Sequence, residues 1–117
     1  MSVDPAAVLA RERAATLDRA AALDRQVESL AEQQALTTHD DEHDPEGVTI
    51  GYERAQLQGL LAGARAEIAA LDRAAARVRA GTYGTCLRCR APISAARIEA
   101  LPAADTCITC ANRRRRQ

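Results

Sequence analysis

The chain has 117 residues, 16 acidic and 16 basic side chains, and only two aromatic residues, Tyr52 and Tyr83. That length suits one domain, or one elongated unit with a small module. So few aromatic rings leave too little bulk for an ordinary globular core, which favours an elongated or metal-nucleated architecture. Neither a basic cluster nor a long apolar run stands near the N-terminus, so neither a secretory signal nor a membrane span is expected. A cytoplasmic setting with reduced thiols is the expectation.

The zero net charge hides an asymmetry. Residues 1–80 hold 14 acidic and 9 basic side chains, whereas residues 81–117 hold 2 acidic and 7 basic.

Residues 5–37 read as one long helix. Asp4 is placed to cap it, and Pro5 then falls at the first helical position, where a missing N–H costs nothing. Leu9, Thr16, Leu23, Leu30 and Thr37 recur every seven residues, Ala20 and Val27 supply the interleaved positions, and Arg13 and Gln34 weaken the seam near its ends. A second helical segment is cleaner. Ile50, Leu57, Ala64, Leu71 and Val78 form one heptad line, and Leu61, Ile68 and Ala75 the other. Gly51, Gly59 and Gly63 run against it, at roughly 1 kcal/mol each in a helix interior. Two such helices joined by a short linker predict an antiparallel coiled-coil hairpin, with pairing between chains as the alternative.

The linker concentrates charge. Five carboxylates stand in the seven residues from Asp40 to Glu46, interleaved with His39 and His43. Asp44 is suited to cap the second helix with Pro45 at its first position, and acids near a helix N-terminus complement its dipole. A cap needs one or two acids and not five, so a tip that meets a basic or metal-containing pocket in a partner is the favoured reading. A metal site on the two histidines is the weaker one.

Cys86-x-x-Cys89 and Cys107-x-x-Cys110 are separated by 17 residues and are the only cysteines. The spacing predicts two tight knuckles holding one tetrahedral Zn²⁺, with four thiolates closing the shell to water. Such a site holds a fold together and does no hydrolysis. Two disulfides or a rubredoxin-like iron site are the alternatives, and a redox CxxC fits less well because neither pair follows a βαβ pattern. Arg88 and Arg90 lie beside the first knuckle and offset the −2 charge of a four-thiolate zinc centre. Ser94 is placed to cap a short helix between the knuckles. Arg113, Arg114, Arg115 and Arg116 are a candidate polyanion contact, with a solvated, disordered end as the other reading.

The segment Gly81-Thr82-Tyr83-Gly84-Thr85-Cys86, followed by Ile93, Arg97, Ile98, Glu99, Ala100, Pro102, Ala104 and Cys107-x-x-Cys110-Ala111, resembles the DksA/TraR family of bacterial transcription regulators. The hairpin is similar to that family only in architecture and tip chemistry, and the all-arginine basic set suits an actinobacterial-like member. The resemblance implies a mainly α fold: a coiled-coil hairpin over 1–80 with its acidic tip at 38–47, a four-cysteine zinc-knuckle module over 81–112, and an arginine-rich tail over 113–117.

It also implies a monomeric, non-enzymatic regulator that binds RNA polymerase and inserts the hairpin tip into the secondary channel. Against the family tip pattern D-x-x-D-x-A, this chain keeps Asp41 and Asp44 and places Glu46 where alanine is expected. Where ppGpp-responsive members carry lysines, Ala70 and Ala111 stand here, so a strong ppGpp requirement is not expected. A zinc-stabilised adaptor, or direct nucleic-acid binding without polymerase, is the alternative function.

Overall fold

The computed structural model describes residues 3–37 and 45–115. Over these residues the chain forms four helices: α1 (Pro5–Thr37), α2 (Pro45–Ala80), α3 (Ala95–Ala100) and α4 (Ile108–Arg115). The first helix starts as its sequence dictates, with the Ala6 amide donating to Asp4 Oδ1 at 3.2 Å and Pro5 opening the helix. The second starts at Pro45 with Glu46 in its first turn, where a carboxylate suits the dipole. The expected cap from Asp44 lies outside the described residues.

By contacts the chain divides into two compact units, Met1–Ala14 with Glu67–Gln117, and Ala15–Ala66. α1 and α2 contribute to both, and within each unit they lie antiparallel.

In unit Ala15–Ala66, Thr16, Ala20 and Val27 of α1 and Ile50, Leu61 and Ala64 of α2 are buried. Their spacing of four and three is that of the expected seam, and Leu23, Leu30 and Leu57 are partly buried on the same lines. Antiparallel register is visible in the polar pairs: Arg65 reaches Asp24 at 3.9 Å, and Arg54 donates to Gln34 Oε1 at 3.2 Å. Gln34, expected to weaken the seam, therefore makes a polar layer across it.

In the other unit Leu9, Leu71 and Ala74 form a buried cluster, with Val78, Tyr83 and Ala103 packed against it. Ala74 is fully buried whereas Ala75 is only partly so, a correction to the expected line at this end of α2. The reason is that the cluster here also receives Tyr83 and Ala103 from beyond α2, which draws the buried stripe one position round the helix. Arg13, the other weak seam position, pairs with Asp72 at 2.7 Å.

Two contacts fasten the cysteine-bearing segment to this cluster, and a third ties that segment together. The Tyr83 hydroxyl donates to the Pro102 carbonyl at 2.7 Å, and Arg77 reaches the Ala103 carbonyl at 3.4 Å. Arg97 Nε donates to the Thr106 carbonyl at 2.9 Å, tying α3 to the approach to α4.

Candidate metal centre

The two knuckles are built differently. In the first, the chain turns back on itself. The Cys86 amide donates to the Ala91 carbonyl at 2.8 Å, Arg90 N–H to the Cys86 carbonyl at 3.0 Å, and Ile93 N–H to the Gly84 carbonyl at 2.8 Å. Gly84 takes a φ of 84°, which costs glycine nothing. Arg90 closes the turn at a φ of 67°, a left-handed conformation unusual for a side chain of its size. Sequence reasoning assigned Arg90 only a charge.

In the second knuckle Cys107 stands just before α4 and Cys110 lies within it, with Ala111 N–H donating to the Cys107 carbonyl at 2.9 Å. The expected short helix between the knuckles is α3. Its cap is Ser94, whose hydroxyl accepts from the Arg97 amide at 3.2 Å.

These two turns bring all four sulfurs within 4.8 Å of one another. Cys89 Sγ and Cys107 Sγ are 3.8 Å apart, and all four cysteines are free. That separation is far beyond a disulfide bond of about 2.0 Å. It matches the edge of a tetrahedron whose metal–sulfur bonds are about 2.3 Å, for which geometry requires sulfurs about 3.8 Å apart. The two-disulfide alternative is thereby set aside. Each knuckle also donates an amide to its own first sulfur: Cys89 N–H to Cys86 Sγ, and Cys110 N–H to Cys107 Sγ, both at 3.5 Å.

Without metal, the thiols are unequal. The Cys89 amide is the main cause holding the Cys86 thiol down at about 6. The Cys110 amide likewise lowers Cys107. Cys110 is pushed up to about 12, first by its hydrogen bond with Cys107 and then by burial. Four thiolates at this spacing repel one another strongly unless a cation sits among them. A divalent ion supplies that charge, and its binding expels the remaining thiol protons. Cys86, Ile93 and Cys110 form a buried cluster with Ile98 and Cys107 against it, so the sulfurs stand on an apolar floor. Cys86 and Cys110 are buried, Cys107 is half-buried and Cys89 exposed, and four sulfur ligands complete a tetrahedral shell, which fits a structural ion.

Residues 81–116 match the family described as prokaryotic dksA/traR C4-type zinc finger. The match covers the segment that carries both cysteine pairs. That family is a four-cysteine zinc finger, and Cys86, Cys89, Cys107 and Cys110 are positioned to hold one such ion. The fold is also similar to the structure of transcription factor DksA2 from Pseudomonas aeruginosa, with a TM-score of 0.76 and 20% sequence identity, over 96% of this chain and 81% of that chain. At that identity the likeness concerns the fold alone: a long helical hairpin followed by a small cysteine-bearing module. No curated protein gives a significant match by sequence.

Of the other expected site residues, Glu46 lies in the first turn of α2, and Asp41, Asp44, His39 and His43 lie outside the described residues. Arg113, Arg114 and Arg115 form the last turn of α4 and are exposed; Arg116 is outside the described residues. The disordered reading of the tail is corrected for these three: they end the helix that begins at Ile108 and carries Cys110, where positive charge complements the C-terminal dipole. Among the described residues no helix is long and apolar enough to cross a membrane. Sequence reasoning missed the fastening roles of Tyr83, Arg77 and Arg97. Tyr83 and Arg97 stood inside the recognised motif, but their acceptors are main-chain carbonyls, which carry no residue-specific signal.

Proposed function

We propose that this protein is a transcription regulator that binds RNA polymerase through the acidic end of its hairpin, inserted into the secondary channel. The supporting observation is the DksA/TraR finger carried on a chain whose fold, over nearly its whole length, is similar to a transcription factor. Residues 1–80 serve as the hairpin, 81–112 as the zinc module and 113–117 as the tail.

In this reading Asp41 and Asp44 are the working carboxylates. Glu46 departs from the family pattern, adding charge where a small side chain is expected, so the regulatory outcome differs from that of members carrying alanine. The zinc centre stabilises and takes no part in chemistry, and the protein acts as a cytoplasmic monomer by binding and not by catalysis. Ala70 and Ala111 offer no charge to a phosphate, so binding has no strong ppGpp requirement. Arg113 to Arg116 supply a secondary contact to nucleic acid or to an acidic surface of the polymerase.

Co-sedimentation with core RNA polymerase tests the reading. Binding is expected to be displaced by a competing secondary-channel factor and lost in the double variant Asp41→Ala, Asp44→Ala without loss of helicity. No binding at micromolar concentration overturns it, and an unchanged double variant overturns the tip assignment.

A further inference from the structure

The side of α2 that faces away from α1 carries a feature the seam does not explain. Val48 and Tyr52 lie four residues apart, hence on one face, and that face is opposite the seam positions Ile50, Arg54 and Leu57. Val48 is 59% and Tyr52 76% exposed, and Tyr52 is one of only two aromatic rings in the chain. The same face continues through Gly59 and Gly63. A Cβ added at either glycine meets nothing within 4 Å, and neither has the positive φ of a turn glycine. The fold of the single chain has no use for them. Alanine is the better helix former at both positions, so the chain keeps a bare backbone strip beside an exposed ring at a cost to its own stability.

Charge indicates what covers this face. From Glu28 to Glu53 every Asp, Glu, Lys or Arg is acidic: eight carboxylates and no basic residue. Glu46 and Glu53 stand in the same turns of α2 as Val48 and Tyr52, on the side of the helix toward Ile50 and Leu57. A partner complementary to such an end is rich in arginine and lysine. A guanidinium is the cation best suited to lie flat on a tyrosine ring. A helix without side chains at Gly59 and Gly63 then lets the partner's backbone approach closely.

We propose that Val48, Tyr52, Gly59 and Gly63 form a second, largely non-ionic docking face on α2, which seats against an arginine-bearing wall of the polymerase while the acidic end is drawn in by charge. The proposal rests on the polymerase reading above and adds to it the residues that hold the complex once it has formed. Long-range attraction from the carboxylates governs encounter and salt dependence, whereas the ring and the bare strip govern residence.

Binding of the full-length zinc-loaded protein to core RNA polymerase, measured across a salt series, decides the matter. Tyr52→Ala and Gly59→Gln are each expected to weaken binding tenfold or more, with helicity and salt slope unchanged. Tyr52→Phe, which keeps the ring, stays within twofold of the parent. Leu60→Ser, which removes an equally exposed side chain from a different side of α2, also stays within twofold. If Tyr52→Ala and Gly59→Gln bind like the parent while Asp41→Asn with Asp44→Asn loses binding, the acidic-end reading stands and this docking face is refuted. If the parent itself does not bind at micromolar concentration, both are refuted.

Discussion

The Tyr83 hydroxyl donates to the Pro102 carbonyl at 2.7 Å while its ring packs on the Leu9, Leu71 and Ala74 cluster. One side chain thus joins the first knuckle's approach, the exit of α3 and the helical core. The bond requires a neutral phenol, and burial raises the Tyr83 pKa above its usual value, with Arg77 opposing. A tyrosine whose pKa is raised by folding contributes stability that is fully present below pH 10. That contribution is lost as pH rises through the raised value.

Tyr83→Phe should therefore cost about 1 kcal/mol, the worth of one hydrogen bond, since the ring and its packing remain. Denaturant melts at pH 8 and pH 10.5 check it. The parent should lose part of its margin over the variant at the higher pH, and a margin that grows with pH would contradict the assignment.

Zinc removal should unfold the finger, because the first knuckle, α3 and α4 converge on four sulfurs and a small apolar cluster. A strong chelator, or Cys110→Ser, is expected to lower the melting temperature and remove the stoichiometric metal from the purified protein. A melting curve unmoved by chelation, in a sample shown to have lost its zinc, would disprove the structural role.

The Gln34–Arg54 layer is a register device that weakens the seam it marks. Arg54 Nε is buried with no hydrogen-bond partner, and Nη1 relies on the Gln34 carbonyl oxygen. Gln34→Leu alone should destabilise by about 1–2 kcal/mol, since it strips an acceptor from a partly buried cation. Replacing both residues by leucine should restore or exceed parental stability, as apolar substitutes for internal polar pairs often do. A double variant less stable than the single one would count against this account.

Gly59→Ala and Gly63→Ala should each raise stability by up to about 1 kcal/mol, because both sites are open helix interior. Thermal melts check this without any partner. A loss of stability at either site would reveal an intrachain need for glycine.

Much of this fold is local in origin and so was legible residue by residue. Asp4 and Pro5 start α1, Ser94 caps α3, and the heptad lines name most of the buried positions, because each rests on spacing within one helix turn or two. The clustering of the four sulfurs was equally plain, since the CxxC spacing itself makes a knuckle. Ala74 was missed because its burial depends on Tyr83 and Ala103 arriving from beyond the helix. Arg13 and Gln34 read as weak seam positions because a single strand of sequence does not show that Asp72 and Arg54 stand opposite.

By itself, then, the sequence determined the helices, their apolar seams and the sulfur set, all consequences of short-range periodicity and ligand chemistry. Only the tertiary structure decided which polar residues meet across the seam and which main-chain carbonyls receive Tyr83, Arg77 and Arg97. It also decided that Gly59 and Gly63 face open space. These depend on chain segments far apart in sequence being brought to within a few ångströms, and no local pattern records that distance.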